Sequence, residues 1–370
     1  MNLNDDIRAA GGGLVLLVVF LACGRNVAVG AICLTNDQRD RLAALVRSEP
    51  EAEKLFNKLR READSCLTDP ARPVATIQTA GRLNADPDKA KSRASIADMR
   101  KLSALGFSYA VTTNQAYSAA AKRMILAWAG ANQPSGQPVD ETKLEPLFVA
   151  YELTRSTFSA EERATTDGWL RNIARAELAA VRADSVTAFN NWNSHRLKII
   201  GLIGFLLEDR PLVTHAVEGF RKQIERNLRP DGSSFDFHER DALHYHCYDL
   251  EPLLTLAGAA RQNGVNLYDY TAPNGACLSK SVRFLVPYCN GTKTHAEWVN
   301  SKVKFDRTRA EAGEDKFETG VAFDPRSALQ VFELASFFDD QFKPLACQLS
   351  NKSGAKYPTW QTVINDACRR

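Results

Sequence analysis

The segment 190–198 carries the first of two concentrations of polar side chains that could do chemistry. It reads NNWNSHRLK, and the apolar run Leu197–Leu207 overlaps its end. On a helix, Asn191 and His195 lie one turn apart on one face, and Lys198 continues that face. An amide, an imidazole and an ammonium group on one stripe could bind a carboxylate. The alternative is a polar helix start whose histidine is satisfied in the core.

The segment 240–253, RDALHYHCYDLEPL, is the second concentration. Tyr245 lies between His244 and His246, and a phenol beside cationic or imidazole groups is a candidate for proton transfer. Nearby positive charge lowers the pKa of a tyrosine from its usual value of about 10. A metal site is less favoured, because two histidines two residues apart point to different sides of a helix. The alternative is an aromatic helix face packed into the core.

Helix patterns dominate the elements that must position these residues. Candidate capping boxes begin at Thr35, Ser48 and Ser159. Apolar residues at three- and four-residue spacing predict six further helices: Asn114–Asn132, Lys143–Arg155, Thr187–Glu208, Leu212–Leu228, Leu243–Asn263 and Pro325–Phe338.

Strand patterns are scarce, with Val282–Val286 the best of a weak set, and no P-loop or Rossmann glycine motif is present. We therefore predict an all-α chain. Many helices of 12 to 22 residues suggest an (α/α) toroid of helical hairpins, an incomplete barrel with an open cleft across its mouth.

The two segments together, NNWNSHR followed about fifty residues later by RDALHYHCYDLEPL, resemble the alginate lyase superfamily, which includes mannuronate and glucuronan lyases. The similarity runs from about Ser185 to Leu267 and continues more weakly toward Phe338. It implies an (α/α) toroid and β-elimination on a uronate polymer. It assigns charge neutralisation to Asn191 and proton transfer to Tyr245.

The sequence departs from the mannuronate lyase pattern in two places. In those enzymes a histidine directly follows the second asparagine, whereas here that position is Trp192 and the histidine falls at His195. Their substrate-clamping arginine lies seven residues before the tyrosine; that position is His238, and Arg240 is the nearest guanidinium. A divergent branch is therefore expected, acting on alginate, glucuronan or another polyuronate.

The chemistry of elimination explains these residue types. Removing the C5 proton of a uronate is easier once the neighbouring carboxylate is neutralised, here by Asn191, His195 and Arg240. Tyr245 can take that proton and then protonate the departing O4 oxygen. No metal or cofactor is required. The predicted catalytic residues are Asn191, His195, Arg240, Tyr245 and His246, and the predicted substrate-binding residues are Asn190, Trp192, Arg196, Lys198, His244 and Tyr248.

Other assignments stay open. The segment His295–Arg309 is basic and could bind a polyanion outside the reacting subsite, or be a solvated surface. Tyr288 is a reserve catalytic candidate. A glycoside hydrolase would need two carboxylates across the bond, and Asp236 with Glu239, or Asp249 with Glu251, are the nominees. A non-catalytic periplasmic glycan-binding protein is the third reading.

Composition limits the class of protein. The chain has 370 residues, 44% apolar and 25% charged, with a formal net charge of +3. These values exclude a disordered chain, a coiled coil and a polytopic membrane protein. A nucleic-acid binder usually has a stronger basic excess. We expect a monomer whose partner is an anionic polysaccharide.

The start of the chain predicts export. Leu14–Cys23 is apolar but too short to span a bilayer comfortably, and small residues precede a cleavage site after Ala31. Residues 1–31 are therefore predicted to be a signal peptide and 32–370 a single catalytic domain, periplasmic or secreted, with no stable membrane insertion after cleavage. Asp5 and Asp6 are unusual for a signal, so an uncleaved N-terminal helix remains an alternative, and Phe20–Cys23 resembles a lipoprotein cleavage box.

Cysteine spacing agrees with export. Three pairs neighbour each other along the chain, and Cys247 is left over. In an oxidising compartment these pairs would form disulfides: Cys33 with Cys66, Cys277 with Cys289, and Cys347 with Cys368. The alternative is seven reduced, mostly buried thiols in a cytosolic protein.

Overall fold

The computed structural model describes residues 30–369, and every regular secondary-structure element in this part of the chain is a helix. Its α-helices are α1 Asn36–Ser48, α2 Pro50–Ser65, α3 Pro87–Thr112, α4 Gln115–Ala131, α5 Pro138–Glu141, α6 Glu145–Thr154, α7 Ala160–Ala179, α8 Asn191–Leu206, α9 Arg210–Asn227, α10 Phe235–Arg240, α11 Leu243–Gln262, α12 Leu278–Cys289, α13 Lys304–Glu311, α14 Leu329–Ala335, α15 Lys343–Leu349 and α16 Trp360–Arg369. Short 3-10 helices span Thr142–Leu144, Arg155–Thr157, Val186–Ala188, Asp315–Phe317, Pro325–Ala328 and Asp340–Phe342.

Two of the three capping boxes form as predicted. Thr35 caps α1 and Ser159 caps α7, each by a reciprocal pair of hydrogen bonds with the third helical residue. The prediction of a capping box at Ser48 is wrong. The N-cap of α2 is Glu49, whose side chain makes no capping bond, and Pro50 occupies the first turn, where its missing N–H costs nothing.

Two further elements differ from the sequence prediction. Val282–Val286 is part of helix α12 rather than a strand, and among residues 30–369 only three isolated bridges have β pairing. Helix α3 was not predicted, although its 26 residues make it longer than any helix that was. Its apolar residues are diluted by small and charged ones, so its buried face gives little periodic contrast.

Helix α8 lies at the centre of the packing, between α9 and α11, and nearly all of its residues are buried. Glycines permit this close approach. A Cβ at Gly201 would lie 2.3 Å from Leu256 Cδ1 on α11, and one at Gly204 would lie 2.9 Å from the Val213 nitrogen on α9. The start of α8 is thereby fixed relative to the start of α11. The last helix, α16, packs against α1 and α2.

The predicted disulfides do not form. The described cysteines are all free: Cys33, Cys66, Cys247, Cys277, Cys289, Cys347 and Cys368. Cys277 and Cys289 lie at opposite ends of the 12-residue helix α12. That helix is about 18 Å long, whereas a disulfide joins Cα atoms about 4.4–6.8 Å apart.

The fold instead brings together two cysteines from the two ends of the described chain. The Cys368 thiol lies 3.7 Å from the Cys33 carbonyl oxygen, and Gln262 Nε2 contacts both. Cys66 is buried elsewhere, with its thiol against the carbonyl of Ala63. Neighbours along the sequence are therefore not neighbours in space.

Most of the predicted signal peptide lies outside the described residues, and its cleavage remains a prediction. Gly30 and Ala31, at the predicted cleavage site, both hydrogen-bond Asn263 at the end of α11. Within residues 30–369, no helix is long and apolar enough to cross a membrane.

Candidate active site

A cavity of about 280 Å³ lies where the starts of α8 and α11 face α3, the 3-10 helix Thr142–Leu144 and the segment 305–317. Six of its lining side chains are cationic and one is a carboxylate, that of Glu314. The cations are Lys89, Arg93, Lys143, Arg240, Arg309 and Lys316. Such a cavity favours an anionic ligand, because partly desolvated charges interact more strongly than charges in water.

Asn191 lines this cavity as the first residue of α8. Asn190 caps the helix, since its side-chain oxygen accepts the Trp192 N–H at 3.0 Å. The backbone N–H of Asn191 donates to Asp236 Oδ2 at 2.8 Å, and its side-chain amide donates to Asp236 Oδ1. The Asn191 side-chain oxygen is buried and accepts no hydrogen bond. The Asp236 carboxylate therefore orients the Asn191 amide, whose second N–H can donate to a ligand carboxylate and whose oxygen can accept from a ligand hydroxyl.

Asp236 is itself held in a buried polar network. Its Oδ2 also accepts the Asn227 amide at 2.8 Å. Burial raises the pKa of Asp236 to about 6, against the opposing effect of the hydrogen bonds from Asn227 and Asn191. Asp249 lies nearby and hydrogen-bonds Ser194 at 2.6 Å; burial and then the charge of Asp236 raise its pKa well above the ordinary value. Asp249 thus carries the proton, and Asp236 ionises above pH 6.

Tyr245 lies in the first turn of α11 and lines the same cavity. The helix start is fixed by Glu297, which accepts the Leu243 N–H at 2.6 Å. The Arg309 guanidinium donates to the Tyr245 hydroxyl at 3.1 Å, and the Arg240 guanidinium lies 3.8 Å from the Tyr245 ring centroid. Two guanidinium groups against one phenol can stabilise negative charge on its oxygen while the proton is away.

Arg240 is positioned by a carboxylate of its own. It forms an ion pair with the buried Asp306 of α13, and Asp306 also accepts the Ser301 hydroxyl at 2.7 Å. The guanidinium therefore remains over the Tyr245 ring and at the wall of the cavity. Asp306 is a positioning residue that the sequence did not single out.

Three more predicted residues line the cavity: Trp192, His244 and Tyr248. Burial lowers the pKa of His244 to about 4, with nearby cations adding to the effect, so its imidazole is neutral at pH 7. Burial raises the pKa of Tyr248, so its phenol keeps its proton. Neither group carries charge at neutral pH, and the positive potential comes from lysine and arginine.

The structure does not bring His246 to the cavity. Its Nε2 donates to the Ser281 carbonyl at 3.1 Å, and its Nδ1 accepts the Ser234 hydroxyl at 2.8 Å. It is fully buried, and burial lowers its pKa to about 4. Both nitrogens are used in holding α10 and α12 against α11, so this predicted catalytic residue has a structural position.

His195 also lies behind the cavity wall. Its Nδ1 contacts the Thr142 hydroxyl at 2.9 Å, and its ring packs on Tyr248 with centroids 4.4 Å apart. Burial, followed by the charges of Lys198 and Lys143, lowers its pKa well below 6.5. A neutral, buried imidazole supplies no positive charge. His195 instead links α8 to the 3-10 helix that carries Lys143.

Three predicted substrate-binding residues do not line the cavity. Asn190 caps α8, as described above. Arg196 forms a buried ion pair with Glu177 at 3.1 Å, and Lys198 pairs with Glu145. One to two turns after Asn191, this face of α8 therefore packs against other parts of the protein instead of facing the cavity.

The basic segment His295–Arg309 contributes only part of its positive charge to the cavity. Arg309 lines the cavity, whereas Lys302, Lys304 and Arg307 are exposed outside it. The cations on α3 and at Lys143, which also line the cavity, were not identified from the sequence. No motif marks them, and α3 itself was not predicted.

None of the carboxylates nominated for hydrolysis lines the cavity. Asp236 and Asp249 belong to the buried network, and Glu239 forms an ion pair with Lys302 at 3.6 Å. Burial raises the pKa of Glu251 to about 7. A pair of carboxylates facing each other across a sugar, as a hydrolase requires, is not present in this cavity. Tyr288 does not line it either.

Comparison with known proteins agrees with the sequence resemblance. A sequence model of the alginate lyase family matches residues 43–298. A curated polysaccharide lyase of Stenotrophomonas maltophilia (strain K279a) is 28% identical over 165 residues, which is 40% of this chain and 49% of that protein. The chain thus matches about half the length of this relative.

Solved structures are similar over most of the chain. An alginate lyase from Bacteroides ovatus aligns with a TM-score of 0.67 and 15% identity, covering 91% of this chain and 98% of that one. Alginate lyase A1-III from Sphingomonas species A1 aligns with a TM-score of 0.52 and 18% identity, covering 80% and 95%. A variant of alginate lyase A1-III complexed with a tetrasaccharide aligns with a TM-score of 0.57 and 19% identity, covering 84% and 90%.

These similarities define a helical toroid of the alginate lyase type, so the predicted fold class is confirmed. Because the family model covers most of the chain, the protein belongs to the alginate lyase family. The family predicted from the two polar segments is also confirmed.

Proposed function

We propose that this protein is a polysaccharide lyase that cleaves a uronate polymer by β-elimination. The observation that carries the proposal is the contact of Arg309 with the Tyr245 hydroxyl, in a cavity that Asn191 also lines. A phenol that can exchange a proton, an amide oriented by a carboxylate and two guanidinium groups are the parts this reaction needs. Family membership supports the same reaction.

In the proposed mechanism, the uronate carboxylate binds against Asn191 and the cationic side chains of the cavity. Neutralising that carboxylate makes the C5 proton more acidic, because the charge that develops on removing it spreads onto the carboxyl group. In the proposed cycle Tyr245 acts from its phenolate form, whose charge Arg240 and Arg309 stabilise. The phenolate takes the C5 proton as base, and the phenol so formed gives that proton to the leaving O4 oxygen as acid, which restores the phenolate.

Neutral side chains complete the proposed site. Trp192, half-buried at the wall, offers a flat surface for a sugar ring, and His244 and Tyr248 offer uncharged polar groups. The basic lining supports an acidic glycan over a neutral one. Complexes of alginate lyase A1-III variants with a tetrasaccharide support binding of an oligosaccharide in this type of fold.

The test is a screen of polymannuronate, polyguluronate and glucuronan with the purified protein. Elimination creates an unsaturated uronate that absorbs at about 235 nm, whereas hydrolysis releases reducing ends without that absorbance. We expect absorbance to rise with at least one polymer. Reducing ends without absorbance would indicate a hydrolase, and binding without either would indicate a glycan-binding protein.

Export is part of the proposal. A lyase of extracellular polymers acts outside the cytoplasm, and the signal-like segment predicts cleavage after Ala31. Sequencing the N-terminus of the mature protein tests this prediction. An N-terminus at Met1 would contradict it, and a lipid-modified Cys23 would indicate the lipoprotein alternative.

A further inference from the structure

The part of the cavity wall formed by α3 and the 3-10 helix Thr142–Leu144 carries cations that have no carboxylate partner. Lys89 and Arg93 come from α3, and Lys143 comes from the 3-10 helix that follows α5. Among the described residues, none of the three forms an ion pair. Each donates to a neutral oxygen instead: Lys89 to the Arg82 carbonyl at 2.6 Å, Arg93 to the Asn84 side chain at 2.7 Å, and Lys143 to the Val139 carbonyl.

The carboxylates near this wall are already occupied. Asp140 accepts the backbone N–H groups of Thr79 and Ala80, at 2.8 and 2.9 Å, and also the Thr79 hydroxyl. Glu314 accepts the Asn84 N–H at 2.7 Å and faces Arg309 at 3.9 Å. Neither carboxylate neutralises the three cations, although both lie close enough to moderate their repulsion.

Burial makes this arrangement costly for the free protein. Lys89 is only 6% exposed, and burial lowers its pKa; the charge of Glu314 opposes this shift, whereas Arg93, Arg309 and Lys316 add to it. Burial lowers the pKa of Lys143 to about 8, with Lys198, Lys89 and Arg93 lowering it further and Asp140 opposing. Like charges gathered in a partly desolvated cavity, with no internal partner, would be relieved by an anionic ligand.

We propose that Lys89, Arg93 and Lys143 form a second anion subsite, which binds the carboxylate of a uronate residue next to the one that reacts. This inference rests on the proposed function, because it assigns part of the same cavity to the same polymer. The reacting sugar is held against Asn191 and Tyr245, and its neighbour is held by the part of the wall that carries the three cations. The subsite favours substrates that carry a negative charge on successive sugars.

The experiment measures binding by titration calorimetry in the Tyr245→Phe background, so that no turnover occurs. The probes are tetrasaccharides and monosaccharides of mannuronate, guluronate and glucuronate, with mannotetraose as a neutral control. We expect Lys143→Met and Lys89→Met each to weaken binding of the preferred tetrasaccharide roughly tenfold, the usual size of one charge-assisted contact. Binding of the monosaccharide, which has no neighbouring sugar to occupy the subsite, should change less than about twofold.

Lys304→Met is the matched control. Lys304 is an exposed lysine of the basic segment outside the cavity, and its replacement should leave every affinity unchanged. Because the cavity substitutions relieve repulsion, they should leave the melting temperature unchanged or raise it. Unchanged tetrasaccharide affinity in both cavity variants would overturn the subsite, and so would a fall in melting temperature with binding intact.

The pH dependence gives a second readout. As pH rises through about 8, Lys143 loses its charge, so tetrasaccharide affinity should fall between pH 7 and 9, and Lys143→Met should remove most of that fall. The groups that face Lys143 are Asp140 on α5, Lys89 and Arg93 on α3, and Lys198 on α8.

Absence of absorbance at about 235 nm with wild-type protein, together with charge-dependent tetrasaccharide binding, would reject the lyase function and keep the subsite.

Discussion

The two walls of the cavity differ in whether their charged and polar side chains have partners within the protein. On the wall formed by α8, α10 and α11, the reacting groups have fixed partners: Asn191 bonds Asp236, Arg240 pairs with Asp306, and Arg309 bonds the Tyr245 hydroxyl. On the wall formed by α3 and the 3-10 helix, the cations bond only neutral oxygens and have no carboxylate partner. Fixed partners orient atoms in advance, which lowers the barrier to a chemical step. Unpaired cations keep their interaction capacity for a ligand, so substitutions on the first wall should reduce turnover and those on the second should reduce affinity.

The largest effect is expected from Tyr245→Phe. This change removes only the hydroxyl that exchanges protons with C5 and O4, so turnover should fall about 10³–10⁴-fold while the affinity for an oligouronate survives. Rates at about 235 nm and calorimetric binding on the same sample check both parts.

Tyr248→Phe is the matched control, because Tyr248 lines the same cavity and keeps its proton. It should lose far less activity. If Tyr245→Phe retains more than about a tenth of wild-type turnover, this tyrosine is not the base and acid. A fall only in melting temperature would show that its role is packing.

The next effect is expected from Asp236→Asn, which weakens the orientation of Asn191 without removing a group that contacts substrate. We expect kcat to fall about 10–10²-fold with little change in KM. If Asp236 acts through Asn191, the double variant with Asn191→Ala should lose little more than Asn191→Ala alone. Additive losses would show that the two residues act independently.

The pH profile of activity should show the ionisation of the Asp236 carboxyl group. Burial raises the pKa of Asp236 to about 6. Below that pH it is protonated and accepts fewer hydrogen bonds from Asn191, so wild-type activity should fall as pH drops through 6, and Asp236→Asn should lose this limb. Asp249→Asn is the control: Asp249 already holds a proton, so an amide replaces it closely. Equal losses in the two variants would indicate a structural role.

A smaller effect should distinguish the roles of His244 and His246, which lie two residues apart in the sequence. His246→Gln breaks buried hydrogen bonds to Ser234 and Ser281, so the protein should lose about 1–3 kcal/mol of stability with little change in turnover. His244→Gln should change KM or kcat with little change in stability. Denaturant unfolding and steady-state rates test the pair. The reverse pattern would place His246 in the active site after all.

The smallest effect on activity is expected from the cysteines. Among the described cysteines, Cys33 and Cys368 lie near each other, and turnover should not change if oxidation joins them. Burial raises the pKa of Cys33 well above its usual value and that of Cys368 to about 12, so the reaction should be slow. Peptide mapping without reduction checks the pairing, with Cys368→Ser as the control. A Cys277–Cys289 linkage would contradict the fold.

Local interactions explain what was readable from the sequence. Helix periodicity and capping depend on residues three and four apart, so most helices, the boxes at Thr35 and Ser159 and the family resemblance were found without a structure. The two polar segments mark the helix starts that face the cavity, since buried helices seldom begin with amides and phenols. Asn191, Tyr245 and Arg240 all line it, and their catalytic roles stay a prediction.

Tertiary structure decided the rest, because its contacts join residues far apart in the chain. Which of two nearby histidines faces the cavity depends on how α10 and α12 pack on α11. Whether His195 carries charge depends on its burial. Which cysteines meet depends on how α16 returns to the start of the described chain. The wall of Lys89, Arg93 and Lys143 has no local signature, since unpaired charge is defined by the absence of partners in space.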